Sequence, residues 1–147
     1  MSGPARFFST PVPLGGHLSQ DASALSAVAW QVGRLDVFGI GPNLTLRHWW
    51  FDQGSWHPQE TISPQALSAQ GGLCAVSLGE KLLDVFGIGS EGSLLRWWYD
   101  SGWRNDKQPQ DLGGQFLGGG LSAVSWGPGR LDVFGIGPDP DLTLRHW

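Results

Sequence analysis

The amino-acid sequence repeats itself every 48 residues, and a period of that length commits a chain to stacking similar units. Leu25-Ser-Ala-Val-Ala-Trp30 returns as Leu73-Cys-Ala-Val-Ser-Leu78 and again as Leu121-Ser-Ala-Val-Ser-Trp126. Leu-Asp-Val-Phe-Gly-Ile-Gly recurs in the same register at 35–41, 83–89 and 131–137. A third block, Leu46-Arg-His-Trp-Trp50, matches Leu94-Leu-Arg-Trp-Trp98 and, after a two-residue insertion around Asp139-Pro140, Leu144-Arg-His-Trp147. The first unit continues through Trp56, Pro64 and Leu67, and the second through Trp103, Pro109 and Leu112-Gly-Gly114. Phe7, Phe8, Pro11 and Leu14-Gly-Gly16 supply a similar succession ahead of Leu25. Residues 1–147 are therefore read as one domain of three units: 25–72, 73–120, and a third split between 121–147 and 1–24.

Each unit reads as four short strands. Ala-Val-x-Trp is the first, and Leu-Asp-Val-Phe-Gly-Ile, an apolar run suited to a strand buried on both faces, is the second. Turn clusters such as Gly-Pro-Asn and Gly-Ser-Glu-Gly lead by a hairpin into the third, on which Leu46, His48 and Trp50 share one face. The fourth is short and polar, around 59–62 or 107–111, as suits an edge. Glycine, 23 of 147 residues, is well above the usual ~7% but has no collagen period, and 40% hydrophobic content with nine Trp excludes disorder.

Four-stranded units of this length with apolar central strands are the pattern of propeller blades, so an all-β β-propeller is expected. Propellers typically have about four to eight blades, which makes three in one chain an arc. Closure by a dimer into six blades is the first expectation, and a trimer with nine the alternative. The ends of such an arc meet only a partner's, so the split blade would be completed between chains. A β-trefoil, which also has three repeats in a chain of this size, is the rival architecture, although the recurrent Gln-x-Trp of trefoil lectins is absent.

The net charge of −4 comes from 9 basic and 13 acidic residues scattered along the chain, which argues against a nucleic-acid partner. Cys74 is the single cysteine, and no Cys/His cluster has zinc-ligand spacing, so neither a disulfide nor a metal or cofactor is expected. The N-terminus lacks the apolar region of a signal peptide, and no apolar run approaches the ~18 residues of a membrane helix. The expectation is a soluble protein without membrane insertion, cytoplasmic or released without a conventional signal peptide.

The succession Ser-Ala-Val-Ser-Trp-Gly-x-Gly-Arg-Leu-Asp-Val-Phe-Gly-Ile-Gly at 122–137, with Leu-x-His-x-Trp, Gly-x-Trp and Leu-Gly-Gly, resembles the repeat of the Photorhabdus-type (PLL-like) propeller lectins over essentially the whole chain. That resemblance implies sites between blades for fucose and related, often O-methylated, sugars, and fucosylated glycans as partners. The family's rings are seven-bladed, a number that chains of three units do not rebuild. Near-identity of the repeats leaves a designed or truncated propeller fragment as a further reading.

A sugar ring has an apolar face of C–H groups and a belt of hydroxyls; Trp covers the first, while Arg or His bonds the second. Trp30 and Trp126 each end a strand four residues ahead of Arg34 or Arg130, and the middle unit has Leu78 and Leu82 in their place. Each Trp-Arg pair is read as the wall and donor of a site, with a plain cation-π stack of ~0.5–1 kcal/mol as the alternative. A site built on Leu78 and Leu82 is expected to be weaker or absent. His48, Arg96 and His146 share one repeat position, where a donor serves either a sugar hydroxyl or a buried structural bond. Trp49, Trp97 and Trp147 alternate to the opposite strand face, with packing and binding both open, whereas Trp50 and Trp98 are expected to pack blade on blade. Trp56 and Trp103, after Gly-Ser and Ser-Gly turns, are candidate walls of a neighbouring site. Asp36, Asp84 and Asp132 are expected to hold a turn or a backbone amide.

The carboxylates recur by symmetry, so no unique acid–base pair stands out, and the chain is read as a non-enzyme in which repeated weak sites give avidity. A protein-interaction scaffold and, behind it, a propeller glycosidase are the alternatives.

Overall fold

The computed structural model describes residues 11–22, 24–64, 66–138, 140 and 142–147. The share of the third unit assigned to Phe7 and Phe8 lies outside them. Strands β1 (Leu25–Val28), β2 (Leu35–Ile40), β3 (Leu46–Asp52) and β4 (Ser55–Thr61) form one antiparallel sheet in chain order. A second contains β5 (Leu73–Gly79), β6 (Leu82–Ile88), β7 (Leu94–Asp100) and β8 (Gln110–Asp111). The third contains β9 (Leu121–Gly127), β10 (Arg130–Ile136) and β11 (Leu144–His146). The repeat fixes the register as well as the order: Phe38 lies opposite His48, Phe86 opposite Arg96, and Phe134 opposite His146. Residues 25–61, 73–111 and 121–146 thus fold into a sheet each, which is a propeller blade and not a trefoil lobe.

The fourth strand departs from the sequence reading. In the first blade it begins at Ser55, because Trp56 and His57 pair with Phe51 and Trp50 directly after the hairpin turn. In the second, Trp103 makes only an isolated bridge to Tyr99 before Asn105, Asp106 and Lys107, all at positive φ, divert the chain, leaving two paired residues. The third blade has three strands among the described residues.

The blades stack face to face, with the first strands β1, β5 and β9 side by side. Ala75 N–H donates to Ser26 Oγ at 2.9 Å across the first junction. There Phe38, Ile40 and Leu46 pack against Leu73, Leu83, Val85 and Trp97. At the next, Phe86, Ile88 and Leu94 meet Phe116 and Val133. Each such buried side chain contributes roughly 1.5–3 kcal/mol relative to exposure, so the junctions form the core.

The segments entering the blades are also repeats. The N–H groups of Ser19, Ser68 and Leu117 donate to the carbonyls of Ile40, Ile88 and Ile136 at 2.9, 2.8 and 2.8 Å. Leu18, Leu67 and Phe116, one residue earlier, lie on Gly39, Gly87 and Gly135, where a β-carbon would collide with them. Gly87→Ala should therefore force the fully buried Leu67 off its seat and cost about 1–3 kcal/mol in chemical denaturation, with the fold retained. Gly15 and Gly16 have φ of +74° and +77°, and Gly113 and Gly114 +76° and +80°, a left-handed pair that L side chains resist. Residues 14–19 thus enter the first blade as 112–117 enter the third.

The two end faces of the stack are apolar. Leu25 on the first blade is 58% exposed, whereas its counterpart Leu73 is 6% exposed; Leu144 on the third is 75% exposed, whereas Leu94 is fully buried. A cavity of about 300 Å³ on the outer face of the first blade is lined by Leu14, Leu18, Leu25, Val37 and Trp49. Among the described residues no helix is long and apolar enough to cross a membrane.

Candidate functional site

The pairing of second and third strands sets an aspartate beside the polar position of the third strand in every blade. In the first blade Asp36 is fully buried and accepts Arg34 Nε at 2.9 Å and Nη2 at 2.7 Å. His48 Nε2 lies 2.8 Å from Asp36 Oδ1, and His48 Nδ1 lies 2.8 Å from Glu60 Oε1 on β4. The second blade reaches across: Lys107 Nζ donates to Glu60 Oε2 at 3.1 Å, and Trp103 Nε1 donates to Oε1 at 3.3 Å. The His48 ring stacks with Phe38 at 4.7 Å and Trp50 at 5.0 Å, and Trp103 stands edge-on to Phe38 and His48. The Arg34 guanidinium lies 5.3 Å from the Trp30 ring centroid and 5.8 Å from that of Trp50.

The third blade repeats this arrangement in the open. Arg130 donates twice to Asp132, at 2.8 and 2.6 Å, and stacks on Trp126 at 5.3 Å. Trp126 Nε1 also donates to Asp132 at 2.8 Å, and His146 Nε2 lies 2.7 Å from Oδ1 of the same carboxylate. Trp126 is 71% exposed, and the side chains of Arg130 and His146 are half exposed.

The middle blade differs. Arg96 Nε donates to Asp84 and its guanidinium lies 5.1 Å from the Trp98 ring. Leu78 takes the tryptophan's place beside a cavity of about 390 Å³, lined also by Phe86, Arg96, Gln110, Leu131 and Trp147.

The three aspartates are therefore centres of side-chain networks, not the turn or amide holders that the sequence suggested. Two signals pointed to them: Arg34 and Arg130 two residues ahead, and a His or Arg on the third strand. Glu60 and Lys107 escaped the sequence reading because they lie in the irregular fourth-strand region, where Gln110 replaces Glu60. The Trp-Arg pairs do stack. Trp49 and Trp97 are interior, at 6% and 1% exposure, and Trp49 Nε1 donates to the Gly15 carbonyl at 3.0 Å. That placement withdraws Trp97 from the set of accessible sugar walls, whereas Trp49 lines the cavity on the outer face of the first blade. Trp50 stacks with His57 at 4.9 Å within its own blade, in addition to His48. Trp56 and Trp103 stand edge-on to Phe51 and Tyr99 at 5.7 and 5.6 Å, one geometry in two blades.

Burial alone would push Asp36 up, but hydrogen bonds from His48 and Arg34 outweigh it and hold the carboxyl below its ordinary value. Asp84, with Arg96 as partner, is left raised by burial. Asp132 is lowered by its bonds to Arg130 and His146. The bond with His48, opposed by burial and helped by Lys107, holds Glu60 at about 2 against an ordinary 4.5. A depressed carboxyl stabilises the fold above its unfolded value and loses that contribution as pH falls through the folded one. The first junction is thus expected to weaken between pH 4.5 and about 2. Glu60→Gln should be less stable than wild type at neutral pH and show a flatter acid limb in denaturation midpoints measured against pH.

No family model matches the chain, and no curated protein matches it in sequence. Solved structures do match. The BP39L lectin from Burkholderia pseudomallei is 26% identical with a TM-score of 0.64, over 79% of this chain and 35% of its own. The SapL1 lectin, solved in complex with alpha methyl fucoside, is 18% identical with a TM-score of 0.67, over 84% and 42%. The Aleuria aurantia lectin, described as a six-bladed β-propeller with a novel fucose recognition mode, is 18% identical with a TM-score of 0.61, over 84% and 40%. The chain has the blade fold of these lectins and spans well under half the length of each.

Proposed function

We propose that this chain is a lectin for fucose or a closely related deoxy sugar, bound at the edges between blades, and that two copies close into a six-bladed ring. The Trp126–Arg130–Asp132–His146 group, open at its Trp, Arg and His members in the single chain, carries the reading. A deoxy sugar presents C–H groups and a methyl to an aromatic face, and hydroxyls to donors and acceptors. Arg130 lies over the Trp126 ring, which is 71% exposed in the single chain, with His146 and Asp132 beside it as hydrogen-bonding groups. The fucoside complex of SapL1 and the fucose recognition of the Aleuria lectin, on the same blade fold, support that sugar class.

The repeat supports ring closure. The open face of the first blade is the counterpart of surfaces that the second and third blades bury, and the open face of the third is the counterpart of those that the first and second bury. Head-to-tail contact of two arcs uses both faces, and six blades agree with the Aleuria lectin where nine do not. A rigid ring with several weak sites gains avidity on clustered glycans. The repeated aspartate is held by an arginine in every blade, an arrangement for binding and not for a divided acid–base pair. A glycan array is expected to show retention on fucosylated glycans and not on their defucosylated cores. Retention on neither would transfer the exposed aromatics to a protein-binding scaffold.

A further inference from the structure

We infer that the stretch ending at Leu14 of a second copy forms the fourth strand on the open edge of β11, with Val12 opposite His146 and Leu14 opposite Leu144. The inference rests on the two-copy ring proposed above and names the strand that seals it.

Two internal blades show what comes before an entering segment. In the second, Gln110 lies opposite Arg96 and Asp111 opposite Leu95, and then Leu112 N–H donates to the Leu94 carbonyl at 2.8 Å. In the first, Glu60 lies opposite His48 and Thr61 opposite Arg47, and then Ile62 N–H donates to the Leu46 carbonyl at 2.8 Å. The matched glycine dihedrals and carbonyl bonds make Leu14 the counterpart of Leu112, so Pro13 and Val12 stand where Asp111 and Gln110 stand. Pro11, Val12 and Pro13 therefore occupy a fourth-strand position relative to the blade that precedes the first.

Proline placement agrees with that pairing. Along an antiparallel edge strand alternate N–H groups point inward to the ladder and outward to solvent. With the Leu14 N–H inward, that of Val12 is also inward, and positions 11 and 13 point outward, where the missing N–H of proline costs no bond. Pro109 stands at the position of Pro11 in the second blade. Outward prolines also protect an edge from further strand addition.

The acceptor is the third blade. Among the described residues β11 pairs with β10 alone. Residues 14–16 of the same chain lie on the first blade, against Trp49, two junctions away from β11. A second copy brings its own first blade, and with it Val12, to that edge; Val12 is 72% exposed and Leu144 75%.

The pair Pro13 and Arg145 corresponds to Thr61 and Arg47, which lie directly opposite each other. Pro13→Cys combined with Arg145→Cys places two thiols within the ~4.4–6.8 Å Cα separation that a disulfide needs. Cys74 stays out of the chemistry, since burial pushes its thiol up to about 12. Mild oxidation is expected to give a covalent dimer of the double variant on a non-reducing gel, and none with either single variant. Val12→Pro, which removes an inward N–H, should weaken association about tenfold or more in sedimentation, whereas Pro13→Ala leaves it unchanged. A wild-type mass of twice 15.9 kDa without the crosslink, or an oxidised species of single-chain mass, overturns the strand exchange and leaves the ring standing. A wild-type mass of 15.9 kDa overturns both.

Discussion

Asp36→Ala is expected to destabilise the protein by about 3–5 kcal/mol, the loss typical of breaking a buried ion pair by removing one partner. Asp36 is fully buried and accepts both Arg34 bonds and faces His48, whose side chain is 4% exposed. Without the carboxylate the guanidinium, itself 12% exposed, is held among Trp30 and Trp50 with Asp52, 3.5 Å away, as its one charged partner among the described residues. A loss of that size is a large share of the ~5–15 kcal/mol that keeps a domain folded. Asp132→Ala removes the same group from the third blade, where in the single chain Arg130 and His146 are half exposed and regain water, so its loss in the dissociated chain should be clearly smaller. Urea denaturation of the two variants side by side measures the difference. Equal losses at a concentration where the protein is a single chain would show that burial of the first network is not what makes it matter.

Trp126→Ala is expected to reduce binding to a fucose-coated surface at least about tenfold, or ~1.4 kcal/mol, at the site it walls. Its circular dichroism should match wild type, because a side chain 71% exposed in the single chain supports little of that chain's core. Trp97→Ala is the contrast: a ring 1% exposed between the first two blades, whose removal should cost about 3–5 kcal/mol of stability. Leu78→Trp combined with Leu82→Arg restores the pair in the middle blade and is expected to raise the number of sugars bound per chain. Surface plasmon resonance with methyl fucoside as competitor reads both effects. Unchanged affinity and stoichiometry in Trp126→Ala would remove that residue from the site.

The repeat made the blades legible, since residues one period apart must meet similar neighbours when units stack. That the register is the same from blade to blade, Phe38 with His48 and Phe86 with Arg96, follows from it, although which residues face each other does not. The pairing of Trp with Arg was also readable, because Trp30 with Arg34 and Trp126 with Arg130 are present together and Leu78 with Leu82 replace them together. Two things were not. Period-2 alternation tells the two faces of a strand apart but not which face a neighbouring blade covers, so Trp49 and Trp97 stayed open between packing and binding. The fourth strand varies in length and path, and the Glu60–Lys107 contact across the junction leaves no repeated signal.

A calorimetric titration of the wild-type chain with methyl α-fucoside, with glucose as the control sugar, tests the account most directly. Saturable binding of the fucoside, absent with glucose and reduced by Trp126→Ala, is the predicted result. No heat beyond dilution at millimolar fucoside would contradict it, and would leave the blades as a scaffold whose aromatic edges serve another partner.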